Sequence, residues 1–325
     1  NNKKQQIVNI EQIQDQSNTN IYRLPFAIDV YVDGKAQRHL MEMNQKKQQF
    51  VFNVSKEPSN VIVDAEHMLL AEIFDRKSDD SWLEQMHSPL YMDSKIALEN
   101  ISDKNGSHAV IQALKSKFWG IRLIGIKKAR KLKNKEEFLD LIEQHAQNEE
   151  NTKVKSAALR LLANLDNKNE YLPLLELATK EQSLLVAGSG LSGLAKVDAE
   201  KALALAPNFE NDLRNIVNEI YANYGGPEKS FYFQKLFLNS SGYDLYYLMR
   251  DYTTFLKNQD LSIILNGTLV LEKASEDAKS WMIRVSQYYL RDIKSTITEL
   301  YKIEKNKELK NKANETLKRI EDLLK

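Results

Sequence analysis

The chain has 325 residues, more than one compact core usually supports, so two domains are expected. Its 46 basic and 45 acidic side chains leave a net charge of +1, which supplies no global field for nucleic acid or an anionic membrane. With no cysteine, a disulfide framework and a thiolate metal site are both excluded, and the richest apolar stretch, Leu184 to Leu194, is too short and too interrupted by Gly and Ser to span a bilayer.

Asn1-Asn2-Lys3-Lys4-Gln5-Gln6 carries neither an initiator Met nor a secretion signal, and the chain is expected to be a piece of a longer protein. Residues 1 to about 74 follow a two-residue period. Phe26, Ile28, Val30 and Val32 alternate with a mixed face, the pattern of a strand buried on one side. Asp33-Gly34 follows and suits a two-residue hairpin turn, with a return strand through His39, Met41 and Met43. Further strands are expected at Ile7 to Ile13, Gln49 to Val54 and Val61 to Val63, with Pro25 and Pro58 at strand boundaries. A small antiparallel β-sandwich over residues 1–76 is the economical arrangement.

The polar stretch Asp75 to Asp80 separates two periodicities, and Ser81 or Asp80 is the expected cap of the first helix. From Lys95 to Val197 one helical phrase recurs. Ile101, Leu132, Leu165 and Val197 close its copies at intervals of 31, 33 and 32 residues. Such periods mark solenoids of helical pairs, in which a pair cannot bury its own apolar stripe and packs on its neighbours. In the clearest copy, Val154 to Leu165, small and branched apolar residues form the inner face while Lys155 and Arg160 point outward. Pro89, Pro173, Pro207 and Gly225-Gly226-Pro227 read as connections between helices. Beyond Pro207 the period is irregular and richer in Tyr and Phe, and it is not extended to the end. Leu317, Ile320 and Leu324 mark a terminal helix with one buried stripe. The expected fold is mainly α with a small N-terminal all-β domain: an antiparallel β-sandwich, then an α-α superhelical repeat domain of HEAT or armadillo type over residues 81–325.

Gly188-Ser189-Gly190-Leu191-Ser192-Gly193 satisfies the dinucleotide fingerprint G-x-G-x-x-G, but phosphate binding needs those glycines in a turn between a parallel strand and a helix. The repeat register aligns them instead with Val154 to Leu165, where small residues let helices approach. None of His39, His67, His87, His108 and His145 is followed by Glu, and no two stand four apart, so the His-Glu-x-x-His pattern of a zinc peptidase is missing. The basic run Lys127-Lys128-Ala129-Arg130-Lys131 with Lys133 and Lys135 reads as the solvated face of a helix that buries Ile121, Ile124 and Leu132, with phosphate contact as the alternative. Phe231, Tyr232, Phe233, Tyr243, Tyr246 and Tyr247 read as packing residues, with a partner groove as the alternative. No residue is nominated as catalytic, cofactor-binding or metal-ligating.

The order of segments carries a resemblance. Tyr22 to Val30, then Val61-Ile62-Val63-Asp64 with Leu69-Leu70, then Trp82-Leu83 through Leu90 to Leu98 and helical repeats, resembles the C-terminal half of aminopeptidase N-type zinc metallopeptidases. Lys95 stands where that family's phrase carries Arg. The resemblance implies a β-sandwich leading into a helical domain that arches over an active site and limits which peptides enter. It places the zinc, its ligands and the exopeptidase motif in a catalytic domain upstream of Asn1. It also implies that domain and a peptide substrate as partners, with no nucleic acid, no membrane and no cofactor in this chain. Catalytically inactive relatives that serve as protein-binding scaffolds share the same arrangement and are the rival reading.

Overall fold

The computed structural model describes residues 4–15, 17–279 and 281–325. The chain divides into two compact units, residues 1–161 and 162–325.

The first unit opens with five strands: β1 (Lys4–Glu11), β2 (Leu24–Val32), β3 (Lys35–Met43), β4 (Lys47–Val54) and β5 (Asn60–Val63). They form two antiparallel sheets, β1-β4 and β3-β2-β5. The period-two pattern decides which faces meet. Phe26, Ile28, Val30 and Val32 from β2 and Phe50, Phe52 and Val54 from β4 are buried in one core with Met43, closing the sandwich. Asp33 and Gly34 sit at φ +52° and +71°, as a two-residue hairpin between Val32 and Lys35 requires. The first strand begins and ends slightly ahead of the expected Ile7–Ile13.

Helices follow in pairs: α1 (Asp79–Gln85) with α2 (Tyr91–Asn100), α3 (Gly106–Leu114) with α4 (Trp119–Lys131), and α5 (Leu139–Asn148) with α6 (Thr152–Leu162), the last helix running across the unit boundary. The cap of α1 is Ser78, not Ser81 or Asp80: its side chain accepts the Ser81 amide, which leaves Asp79 and Asp80 in the first turn where negative charge favours the helix.

The second unit continues with α7 (Leu172–Ala178), α8 (Leu184–Val197), α9 (Ala199–Leu205), α10 (Arg214–Tyr224), α11 (Ser230–Asn239), α12 (Gly242–Lys257), α13 (Leu261–Glu276), α14 (Met282–Ile303) and α15 (Lys307–Leu323). Even-numbered helices pack in succession, α8 on α10 on α12 on α14, and α11, α13 and α15 form the other layer. The first unit shows the same layering, α2 on α4 and α3 on α5. The pairs therefore persist past Pro207. Their regular interval does not, because α10, α12 and α14 lengthen from 11 to 16 to 22 residues. Pro173 is not in a connection but in the first turn of α7, where a missing amide donor costs nothing.

Each phrase-closing residue lands at the end of an even-numbered helix: Ile101 after α2, Leu132 after α4, Leu165 after α6 and Val197 as the last residue of α8. Seven positions before each lies a small buried residue, in order Ser94, Gly125, Ala158 and Gly190. At Gly125 an added Cβ would stand 2.8 Å from Ala113 Cβ of α3, and at Gly190 2.8 Å from Ala178 Cβ of α7. At these two glycines the helices of a pair approach closely.

Candidate functional site

The glycine triplet lies in the interior of α8, with no strand before it. A Cβ at Gly190 would stand 2.8 Å from Leu175 O and Thr179 N, and at Gly193 2.6 Å from Leu175 Cδ2, all on the neighbouring α7 segment. At Gly188 it would meet Ile216 Cδ1 of α10 at 2.7 Å. The three glycines are spacers between helices, and their amides are committed to α8 itself.

The five histidines have five different settings. His39 rests against the Phe52 ring at 4.5 Å, His67 Nε2 lies 2.7 Å from Asp93 Oδ1, His87 faces Glu84, His108 is exposed on α3, and His145 sits between Glu149 and the Leu114 carbonyl. Among the described residues no three His, Asp or Glu side chains are placed to hold a metal ion. Asp93 is buried and takes a second hydrogen bond from the Ser88 hydroxyl. Because Ser88 donates to the aspartate and not to His67, the trio holds a loop and does not activate a nucleophile.

The basic run divides by helical geometry. Lys127, Arg130 and Lys131 are exposed on α4, while Ile121, Ile126, Ala129 and Leu132 are buried and Ile124 is half-buried. Lys128 Nζ donates to the Ile101 carbonyl at 3.0 Å and Lys135 Nζ to the Leu132 carbonyl, so each closes the open end of an even-numbered helix. The aromatic group also divides. Phe233 is fully buried among Tyr252 and Phe255, and Tyr232 donates to Asn218 Oδ1 at 2.7 Å, its hydroxyl pushed up to about 12 by burial. Phe231, Tyr243 and Tyr247 are exposed.

Two hollows stand out, one in each unit. In the first, a hollow of about 820 Å³ is lined by Trp119, Arg122, Gln144, His145, Asn148 and Glu149, among others. Its wall is an ion-pair network. Arg122 Nε and Nη2 reach the two Glu149 carboxylate oxygens at 2.8 and 2.7 Å, and Nη1 donates to the carbonyls of Ser116 and Lys117. His145 Nδ1 lies 3.0 Å from Glu149 Oε2. Burial works against the Glu149 carboxylate, but the Arg122 hydrogen bonds, the Asn151 amide and the neighbouring positive charge outweigh it and hold the group below the ordinary range. The network fastens the α3–α4 connection to the α5–α6 connection. In the second unit a cleft of about 420 Å³ between α10 and α12 is lined by Asn211, Arg214, Asn218, Ser240, Asp244 and Tyr247, with apolar Leu213 and Leu236. Sequence reasoning found neither hollow, because Arg122 and Glu149 stand 27 residues apart with no local pattern to join them.

No protein-family model matches the chain, and no curated protein matches it in sequence. Among solved structures, 98% of the chain is similar to 47% of the chain of Legionella pneumophila aminopeptidase A in complex with aspartic acid, at a TM-score of 0.50 and 15% identity. A second similarity, at a TM-score of 0.43 and 13% identity, covers 79% of this chain and 98% of a chain in the complex of CpcE and CpcF of phycocyanin lyase from Nostoc sp. PCC7120. At such identities the first likeness shows the fold. This chain spans about half the length of that aminopeptidase.

Proposed function

We propose that this chain is the non-catalytic C-terminal region of a zinc-dependent aminopeptidase, shaping and closing the chamber that receives the peptide. The observation that supports this reading is the extent of the likeness: 98% of the chain, sandwich and helical pairs together, is similar in fold to 47% of an aminopeptidase chain. Stacked helical pairs suit the task, since small rotations between successive pairs give an extended wall that opens and closes without breaking its core. On this reading the zinc and its hydrolytic machinery belong to a catalytic domain upstream of Asn1, which with the peptide is this region's partner. The Arg122 network and the α10–α12 cleft supply polar wall.

The experiment compares the full gene product with this chain alone. Hydrolysis of aminoacyl p-nitroanilides and stoichiometric zinc are expected in the full product and neither in the chain by itself. Turnover or one bound zinc per molecule of the isolated chain defeats the reading, as does a full product that is inactive and free of zinc.

A further inference from the structure

The segment after β5 combines two features that rarely occur together: a tightly fixed backbone and outward-facing apolar side chains. Asp64 and His67 hold φ of +53° and +52°, a left-handed conformation that non-glycine residues adopt at a cost of about 1 kcal/mol or more each. The buried Asp64 carboxylate accepts the amides of Met68 and Leu69 at 3.1 and 3.0 Å. His67 is tied to buried Asp93 at 2.7 Å, and Leu69 turns inward against the sandwich core. Held as far as Leu69, the segment presents Met68 at 72% exposure and Leu70 at 108%, and the chain that follows presents Ile73 at 45% and Phe74 at 76%.

We propose that Met68, Leu70, Ile73 and Phe74 form the docking strip for the portion of the protein upstream of Asn1. The inference rests on the reading of the chain as the C-terminal region of a larger enzyme. Side chains of this size offer about 150–200 Å² each, so the four expose on the order of 500 Å² of apolar surface. That area argues for a tethered occupant. A self-standing dimer needs about 800 Å² from each partner to offset the lost freedom of two bodies. A domain on the same chain meets the strip at high effective concentration, and a smaller contact suffices. The aminopeptidase that this chain follows has slightly more than half of its own length outside the matched stretch, enough for such a domain. Glu66 is exposed but already paired with Arg38 at 2.7 Å, whereas exposed Glu72 lies within the strip and favours a basic side chain facing it on an otherwise apolar docked surface.

The test places a photo-reactive benzoylphenylalanine at Leu70 of the full gene product. Cross-links within one molecule to residues preceding Asn1, at a yield independent of concentration, are the expected result. Hydrogen exchange at residues 68–74 should be at least about tenfold slower in the full product than in this chain alone. The double variant Leu70→Asp, Phe74→Asp should abolish that protection while leaving the melting temperature of the isolated chain unchanged, since neither side chain is buried. Cross-links between two molecules that rise with concentration assign the strip to a second copy and overturn the proposal. Equal exchange in both proteins overturns it too. Zinc content and aminoacyl hydrolysis, read on the same product, report separately on the peptidase reading.

Discussion

At the scale of single residues, the chain's long-range order depends on a few charged side chains. Arg122 and Glu149 are the clearest pair, with side-chain exposures of 16% and 5% and two parallel hydrogen bonds. Removing one partner from such a pair leaves the other buried without compensation. Glu149→Gln is therefore expected to destabilise the protein by about 2–4 kcal/mol in urea unfolding at neutral pH. The pH dependence follows from the depressed folded-state pKa. The carboxylate's contribution is complete above its unfolded value near 4.5 and is lost as the pH falls through the lower folded value. The difference between wild type and variant should thus shrink in acid, and a difference that grows below pH 4 would contradict the assignment.

At the scale of elements, the approach of α4 to α3 and of α8 to α7 is set by the glycine seven positions before the phrase end, Gly125 and Gly190. Gly190 is the more constrained, because two of the atoms that an added Cβ would meet at 2.8 Å, Leu175 O and Thr179 N, belong to backbone that cannot rotate away. Gly190→Ala is expected to cost about 2 kcal/mol by forcing α7 and α8 apart. Gly34→Asn is the contrasting case: φ is +71° but nothing lies within 4 Å of the new Cβ, and Asn tolerates that region, so the cost stays below about 1 kcal/mol. Equal chemical denaturation midpoints for Gly190→Ala and wild type would show that the two helices do not approach at that glycine. The same geometry leaves the fingerprint glycines no spare amides to offer a phosphate. An amide inside a helix already has its acceptor, and only the first turn has donors to spare.

At the scale of the molecule, a net charge of +1 gives no field to gather polyanions, and the one basic run is partly consumed by structure, since Lys128 and Lys135 close helix ends. Lys127, Arg130 and Lys131 face solvent on one side of α4. In gel-shift titrations at physiological salt, double-stranded DNA is expected to bind no tighter than the nonspecific range of about 10⁻⁴–10⁻⁶ M. Reversing those three charges should leave the melting temperature in place, whereas submicromolar binding lost on reversal would assign the face to nucleic acid. No described helix is long and apolar enough to cross a membrane. The buried core of the second unit is continuous from Leu191 through Ile320, so α8 to α15 share one apolar interior.

The amino-acid sequence by itself determined what depends on local period. Alternation at Phe26 to Val32 made a strand, the Asp33-Gly34 pair made its turn, and the phrase closing at Ile101, Leu132, Leu165 and Val197 set the ends of four helices. These are short-range consequences of sterics and of which face must leave water. It also left the glycine triplet helical, because the repeat register outweighed the motif. Tertiary structure alone decided the pairings: Ser78 and not Ser81 as the cap, His67 with Asp93 across 26 residues, Arg122 with Glu149 across 27 and Arg319 with Glu272 across 47. It alone showed that helical pairs persist beyond Pro207 while their lengths drift, and that Leu70 and Phe74 face outward. A pattern of side chains records which face is apolar, but not what that face meets. Partners distant along the chain carry no mutual period, and only the closed loops of the folded state bring them together.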